Sequence, residues 1–267
     1  MKKYLAIFRI RFVNSLQYRI AALAGLFTNC AWGIMLTFAF AAFYRTAPEA
    51  FPMTFAQTVS YIWLQQMIFV MVSIWLNDSE IVEAIRDGAI SYELVRPMDI
   101  YNRWFFQLTA KRLAGLILRG GPTLLVAFLL PYPYGLSLPP DSIQFLWFLL
   151  SVVLSLCVVI AFTNFAYISL FYTMSFRGTQ STVIGLTIFL SGGIVPIPFF
   201  PEPFRSIVQL LPFVAMQDTP LRIYSGHIAG AAVYEGIGMQ IFWFVILLMA
   251  GRIAINHALK RVVVQGG

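Results

Sequence analysis

The amino-acid sequence predicts an all-α polytopic membrane protein with six transmembrane helices and an N-terminal helix in the membrane interface. Of its 267 residues, 60% are hydrophobic and only 11% are charged, and the mean hydropathy is +0.79. So little polar surface cannot coat a water-soluble globule. A helix needs about 20 apolar residues to cross the hydrocarbon core, so this length allows roughly six spans. We therefore expect a single membrane domain over residues 1–267.

Residues 1–19 are predicted to form the interfacial helix. Apolar side chains recur there at helical spacing among basic residues, at Leu5, Phe8, Phe12 and Leu16. This pattern is typical of a helix that lies on a membrane surface. Arg9 and Arg11 interrupt the apolar run that a cleaved signal peptide needs, so the segment is expected to stay on the chain.

Apolar runs place the six spans, and prolines break the fifth. The predicted spans cover residues 20–44, 58–76, 113–130, 143–172, a stretch from 181, and 231–255. Residues 173–180 are predicted to form a polar turn. Ser191-Gly192-Gly193 and four prolines between Pro196 and Pro203 prevent a regular helix from continuing. We call residues 192–230 the broken segment and expect an external re-entrant or loop region.

One stretch is strongly charged, and we call residues 77–103 the charged segment. It holds six of the 11 acidic residues, namely Asp78, Glu80, Glu83, Asp87, Glu93 and Asp99. Its first part is predicted to be a short helix, because Asn77 and Glu80 resemble a capping box and Gly88 is a stop signal. Pro97 closes the segment.

The predicted helix in the charged segment has an apolar face formed by Ile81, Val82 and Ile85. An exposed apolar face usually contacts another molecule. We therefore interpret the segment as a docking element, with a solvated loop as the alternative.

The distribution of basic residues predicts the orientation, since Lys and Arg collect on cytoplasmic loops. With the N-terminus inside, only Arg45, Arg205 and Arg222 of the 18 basic residues fall on the outer side. Both termini and the charged segment are therefore expected in the cytoplasm. The net charge of +7 is explained by this topology and indicates no nucleic-acid partner.

The motifs for several kinds of chemistry are missing from the sequence. There is no GxxxxGK[ST] phosphate loop, so any ATP dependence needs a partner subunit. There is no HExxH, and His227 and His257 lie far apart, so no metal site is expected. No histidine falls within a span to serve as a base for Ser191. We expect no catalytic site and no cofactor on this chain.

A few polar residues fall inside or beside the predicted spans. Gln65, Gln66 and Asn164 could form hydrogen bonds between helices or line a substrate path, and the sequence leaves both readings open. Arg119 is expected to snorkel toward the cytoplasm.

The chain resembles the permease subunits of ABC-2 type exporters, and the resemblance covers nearly all of it. It rests on the interfacial helix, the six spans, the segment Glu83-Ala-Ile-Arg-Asp-Gly-Ala-Ile-Ser-Tyr-Glu-Leu-Val-Arg-Pro-Met-Asp99 after span two, and the break at Ser191-Gly-Gly-Ile-Val-Pro-Ile-Pro198 before span six. Within that segment, the string Gly88-Ala-Ile-Ser-Tyr-Glu-Leu-Val-Arg-Pro97 is particularly similar to the roughly 260-residue permeases that are encoded beside a separate ATPase.

The resemblance implies an ABC-2, or type V exporter, fold in a bacterial inner membrane. It implies that the charged segment is a coupling helix that docks on two ATPase subunits, which bind ATP and Mg²⁺. The contacts would come from Glu83, Arg86, Asp87, Glu93 and Arg96, with Gly88 and Pro97 shaping the segment. A second permease, identical or homologous, would complete the substrate path between spans two and five.

Two alternatives stay open at this point. A secondary carrier or channel would need an internal repeat and a polar path, and an assembly factor would need neither. An apolar path suits hydrophobic or cationic small molecules and lipids alike, so the sequence does not identify the substrate.

Overall fold

The computed structural model describes residues 1–73, 78–173 and 176–260. Within these ranges the chain forms helices joined by short turns, and it contains no β-strand. The α-helices, in chain order, are α1 (Lys2–Leu16), α2 (Arg19–Thr46), α3 (Phe55–Val72), α4 (Ser79–Arg86), α5 (Ile90–Leu94), α6 (Ile100–Gly115), α7 (Gly121–Leu129), α8 (Ser142–Thr173), α9 (Phe176–Leu190), α10 (Phe204–Gln209), α11 (Pro212–Met216), α12 (Asp218–Tyr224) and α13 (Ala231–Leu259). The prediction of an all-α polytopic membrane protein is confirmed.

Five helices in the described part of the chain are long and apolar enough to cross a membrane. They are α2, α3, the continuous stretch Ile100–Leu129, α8 and α13. The fifth predicted span corresponds to α9, which has 15 residues and is therefore about 22 Å long at 1.5 Å per residue. The second predicted span was placed at residues 58–76, and its last residues lie outside the described ranges.

The third span begins earlier than its predicted start at residue 113. α6 starts at Ile100 and continues through a π-helical turn, Leu116–Gly120, into α7. Asp99 begins the helix, because its Oδ1 accepts a hydrogen bond of 2.8 Å from the Asn102 backbone N–H. The predicted boundary was wrong because polar residues lower the hydropathy of the first turns of this helix.

Two arginines of this span bind other helices instead of reaching toward solvent. Arg112 is buried and donates to the Ser73 carbonyl at 3.1 Å and to Thr163 Oγ1 at 2.9 Å. It thereby joins the end of α3 to α8. Arg119 donates to Asn29 Oδ1 at 3.2 Å and to the Gly25 carbonyl at 3.4 Å, both on α2. The expectation that Arg119 snorkels is replaced by this contact between helices.

α3 lies at the centre of the bundle, and most of its side chains are buried. A capping box starts it, since Thr54 Oγ1 accepts from the Gln57 N–H and Gln57 Oε1 accepts from the Thr54 N–H. α8 packs along α13, and α1 packs along α6. The charged segment follows the C-terminal end of α3, whereas Phe199 of the broken segment packs on Phe51, just before the N-terminal end of α3. The two segments therefore lie toward opposite ends of this helix.

The fifth predicted span also starts earlier than residue 181. α9 begins at Phe176, so residues 176–180 are helical and the predicted polar turn is wrong there. The helix ends at Leu190, immediately before the predicted break. Beyond the break, the short helices α10 and α11 follow within the broken segment.

Candidate functional site

The charged segment folds into two short helices joined at Gly88. α4 carries Glu80 in its first turn and Arg86 in its last, which suits the helix dipole. Gly88 has a φ of 73°, a left-handed conformation that glycine adopts without strain, and it turns the chain from α4 into α5. Asn77, half of the predicted capping box, lies outside the described residues, and the Glu80 carboxylate is bound by Arg11.

The apolar face of α4 is covered by this chain itself. Ile81 is buried in the main hydrophobic core, and Val82 and Ile85 pack against the same core. This face therefore needs no partner, contrary to the prediction. The face fixes α4 against the transmembrane bundle.

A different part of the charged segment is exposed. Among the residues predicted for coupling, Glu83, Arg86, Asp87, Gly88, Arg96 and Pro97 lie on the surface. Three apolar side chains accompany them: Tyr92 is 77% exposed, Val95 85% and Leu94 46%. We call Glu83, Arg86, Asp87, Tyr92, Leu94, Val95 and Arg96 the docking surface. The sequence analysis missed its apolar members, although they are close neighbours in a charged loop.

Glu93 does not belong to the docking surface. Its carboxylate lies 2.5 Å from the Arg103 guanidinium on α6, and the two side chains are only 17% and 13% exposed. Glu93 therefore holds α5 against the bundle and does not point outward.

α1 binds both ends of the charged segment. Arg11 donates to both carboxylate oxygens of Glu80, at 2.8 Å through Nη1, and lowers the pKa of that carboxyl. Lys3 Nζ donates to the Pro97 carbonyl, and Tyr4 Oη accepts from the Asp99 N–H at 3.1 Å. The Tyr4 ring stacks on Phe106 with centroids 5.6 Å apart. The docking surface is thus presented by an anchored segment.

A buried polar cluster fastens the broken segment to α3. The Tyr61 hydroxyl donates to Asp218 Oδ1 at 2.9 Å, and Arg222 approaches the other carboxylate oxygen at 3.3 Å. Asp218 is completely buried, and this burial raises the pKa of its carboxyl. The sequence analysis did not single out Asp218, because it lies outside the predicted spans.

The three residues proposed for a substrate path are all buried within the helical bundle. Gln65 Nε2 donates to the carbonyls of Gly192 and Gly193, so it joins α3 to the break. The backbone carbonyl oxygen of Gln66 accepts a hydrogen bond of 2.9 Å from Asn29 Nδ2. Asn164 is fully buried on α8. For Gln65 this geometry supports hydrogen bonding within the chain, and the structure brings no two of the three together in a shared site.

The described residues contain no cluster of three His, Cys, Asp or Glu side chains that could hold a metal ion. Cys30 and Cys157 are free thiols.

Comparison with known proteins identifies the family. The profile of a family described as ABC-2 family transporter protein matches residues 30–266. The chain belongs to the ABC-2 transporter family. No curated protein and no solved structure matches it significantly.

This ABC-2 chain is therefore a multi-pass membrane protein and the permease component of a transporter. Permeases of this family typically work with an ABC ATPase. The matched region includes the charged segment and the broken segment, whereas α1 precedes it.

Proposed function

We propose that this chain is the permease subunit of an ATP-driven ABC exporter and that the docking surface binds a separate ATPase subunit. The observation that carries the proposal is an exposed set of charged and apolar side chains on a segment anchored to the bundle. An anchored segment can transmit the movement of a partner to the transmembrane helices, whereas a free loop would absorb it.

The chemistry of the docking surface suits a protein partner. Tyr92, Leu94 and Val95 are apolar groups that gain free energy when a partner removes them from water. The surrounding charges on Glu83, Arg86 and Arg96 can pair with a complementary rim and fix the register. Glu93, paired with Arg103, positions this surface and does not contact the partner.

We place the docking surface, both termini and α1 on the cytoplasmic side of a bacterial inner membrane. Basic residues from distant parts of the chain collect at this end of the fold. Arg252, near the end of α13, donates to Asn102 Oδ1 at 2.7 Å, and Lys3 reaches Pro97. Such clustering of basic residues is typical of the cytoplasmic face.

In this proposal the ATPase subunits, and not the permease, bind and hydrolyse ATP. The sequence contains no phosphate-binding loop, so two ATPase subunits would bind ATP and Mg²⁺. A second permease, identical or homologous, would complete the path for a hydrophobic molecule or lipid beside α3 and α9.

The test is co-purification in mild detergent with candidate ABC ATPase subunits from the same organism, with ATP hydrolysis measured on the complex. Glu83→Ala/Arg86→Ala is expected to weaken the complex at least tenfold or to uncouple hydrolysis from the permease. Glu202→Ala/Arg205→Ala is the matched control, because it removes an acid and an arginine at the same spacing from the opposite end of the fold. Failure of the unmodified chain to bind any ATPase would contradict the proposal.

A further inference from the structure

α1 carries an exposed stripe of basic and apolar side chains. Four exposed residues follow one another at steps of three or four positions, so they share one side of the helix. They are Lys2, Leu5, Arg9 and Val13, and the exposed side chain of Ile10 lies beside them. We call these five residues the outer stripe.

The charge of the outer stripe is not balanced within the described part of the chain. Neither Lys2 nor Arg9 forms an ion pair with a described carboxylate. The sequence contains no acidic residue before Glu49, so α1 itself supplies no negative charge. The three apolar members of the stripe each keep more than half of their surface exposed. A helix surface that combines unpaired cations with exposed apolar groups is typical of contact with an anionic membrane surface.

α1 lies across the end of the bundle that carries the charged segment. It packs along α6, and the first turns of α6 contact two neighbouring elements at that end. Asn102 accepts a hydrogen bond from Arg252, near the end of α13, and Gln107 donates to Asp78, which comes after α3. These turns of α6 therefore cross the end of the bundle. α1 beside them is placed where lipid headgroups meet the protein.

We infer that the outer stripe binds anionic phospholipids of the leaflet on this side of the membrane. Lys2 and Arg9 contact the phosphate groups, and the apolar members lie among the upper parts of the acyl chains. A zwitterionic lipid fits less well, because its own ammonium group offsets the charge of its phosphate. The inference rests on the proposed function only in naming this leaflet as the inner one.

The opposite side of α1 connects the bound lipid to the charged segment. Arg11 binds Glu80 on α4, and the Tyr4 ring stacks on Phe106 of α6. A lipid that binds α1 only while the helix is seated on the bundle stabilises the seated position by mass action. Anionic lipid should therefore slow the opening of α1 from the bundle.

The test is hydrogen–deuterium exchange of the permease alone, in nanodiscs of phosphatidylcholine with and without phosphatidylglycerol. One basic residue near an anionic surface changes an equilibrium constant about fivefold, so the α1 amides are expected to exchange at least that much more slowly with phosphatidylglycerol. The amides of α10 are the reference. They lie toward the other end of the fold, and they record the change in surface pH without the outer stripe.

Three variants separate the charge of the outer stripe from its structure. Lys2→Gln/Arg9→Gln removes both cations and is expected to reduce the slowing to less than about twofold. Lys2→Arg/Arg9→Lys keeps both charges at the same positions and should retain the slowing. Arg45→Gln/Lys260→Gln is the matched control, because it removes two exposed cations outside the stripe, and it should retain the slowing as well.

Equal relative exchange in both kinds of nanodisc would overturn the inference, and so would slowing that persists in Lys2→Gln/Arg9→Gln. Slowing that appears only with an added ATPase would overturn it by assigning the outer stripe to that subunit. Slowing that requires two permeases in one nanodisc would overturn it in favour of a second copy of the chain. The lipid comparison uses the unmodified chain, so it stands even if a variant fails to fold. It needs no ATPase, so its failure and the failure of the exporter proposal give different results.

Discussion

Glu93 on α5 and Arg103 on α6 form an ion pair of 2.5 Å, and both side chains are mostly buried. Glu93 was predicted to contact the ATPase, but its ion pair with Arg103 instead holds α5 against α6. The exposed neighbours of Glu93, including Tyr92 and Val95, then point away from the bundle. The pair therefore sets the orientation of the docking surface.

Breaking this pair should destabilise the permease. Glu93→Gln or Arg103→Met leaves one mostly buried charge unpaired, which costs about 1–3 kcal/mol. The double variant should recover part of that loss, because neither charge remains. The apparent melting temperature in detergent measures the effect. Arg86→Met/Asp87→Asn is the control, since that pair is exposed and its removal should leave the melting temperature nearly unchanged.

The contact between α1 and α4 should depend on pH. Arg11 lowers the pKa of the Glu80 carboxyl, so the pairing contributes full stability above the pKa of an unfolded glutamate, about 4.3. The contribution is lost as pH falls through the lower pKa of the paired carboxyl. Hydrogen exchange of the α1 amides, corrected for the intrinsic rate, should therefore rise below pH 4.3. Glu80→Gln should remove this pH dependence, and an unchanged profile in that variant would contradict the assignment.

The link between α3 and the broken segment should be costly to remove. Asp218→Asn leaves Arg222 without its counter-ion and is expected to cost about 2–4 kcal/mol. Tyr61→Phe deletes one hydrogen bond to the same carboxylate and is expected to cost about 1–2 kcal/mol. Thermal unfolding in detergent ranks the variants. Glu202→Gln, in an exposed pair of the same segment, should leave thermal unfolding nearly unchanged, and a loss equal to that of Asp218→Asn would contradict the assignment.

Gly192 should tolerate no side chain. Its φ is 80°, and an added Cβ would lie 2.4 Å from the Tyr61 hydroxyl. Gly192→Ala is expected to cost about 1–3 kcal/mol from the backbone alone, with a further loss from the clash. Tyr61→Phe should relieve part of the damage in the double variant. Gly185→Ala is the matched control, because a Cβ there meets no atom within 4 Å and alanine favours the helix.

Much of the fold could be predicted from the sequence, because apolar runs of this length are stable only as helices that cross the hydrocarbon core of a membrane. α2, α8 and α13 start within a few residues of the predicted positions. The start of α6 was missed because its first turns are polar, and their burial depends on contacts with distant elements. Arg112 illustrates this, since its partners are on α3 and α8. The Asp99 cap was the local signal that could have located this start.

The site was harder to predict than the fold. A helix of five residues is too short for its sequence periodicity to reveal its inner face, and the partner of Glu93 is Arg103 on a different helix. Asp218 acquires its role only when the broken segment folds back onto α3. Tyr92 and Val95 could have been found as apolar residues in a charged loop.

The central claim is that the docking surface contacts an ATPase on the cytoplasmic side. A photo-crosslinking amino acid, p-benzoylphenylalanine, placed at Val95 tests it directly in cells that also produce the candidate ABC ATPase. Leu210 on the broken segment, 63% exposed, is the matched control at the opposite end of the fold. The account predicts an ATPase adduct at Val95 and none at Leu210. An adduct at Leu210, or none at Val95 while the complex is intact, would contradict it.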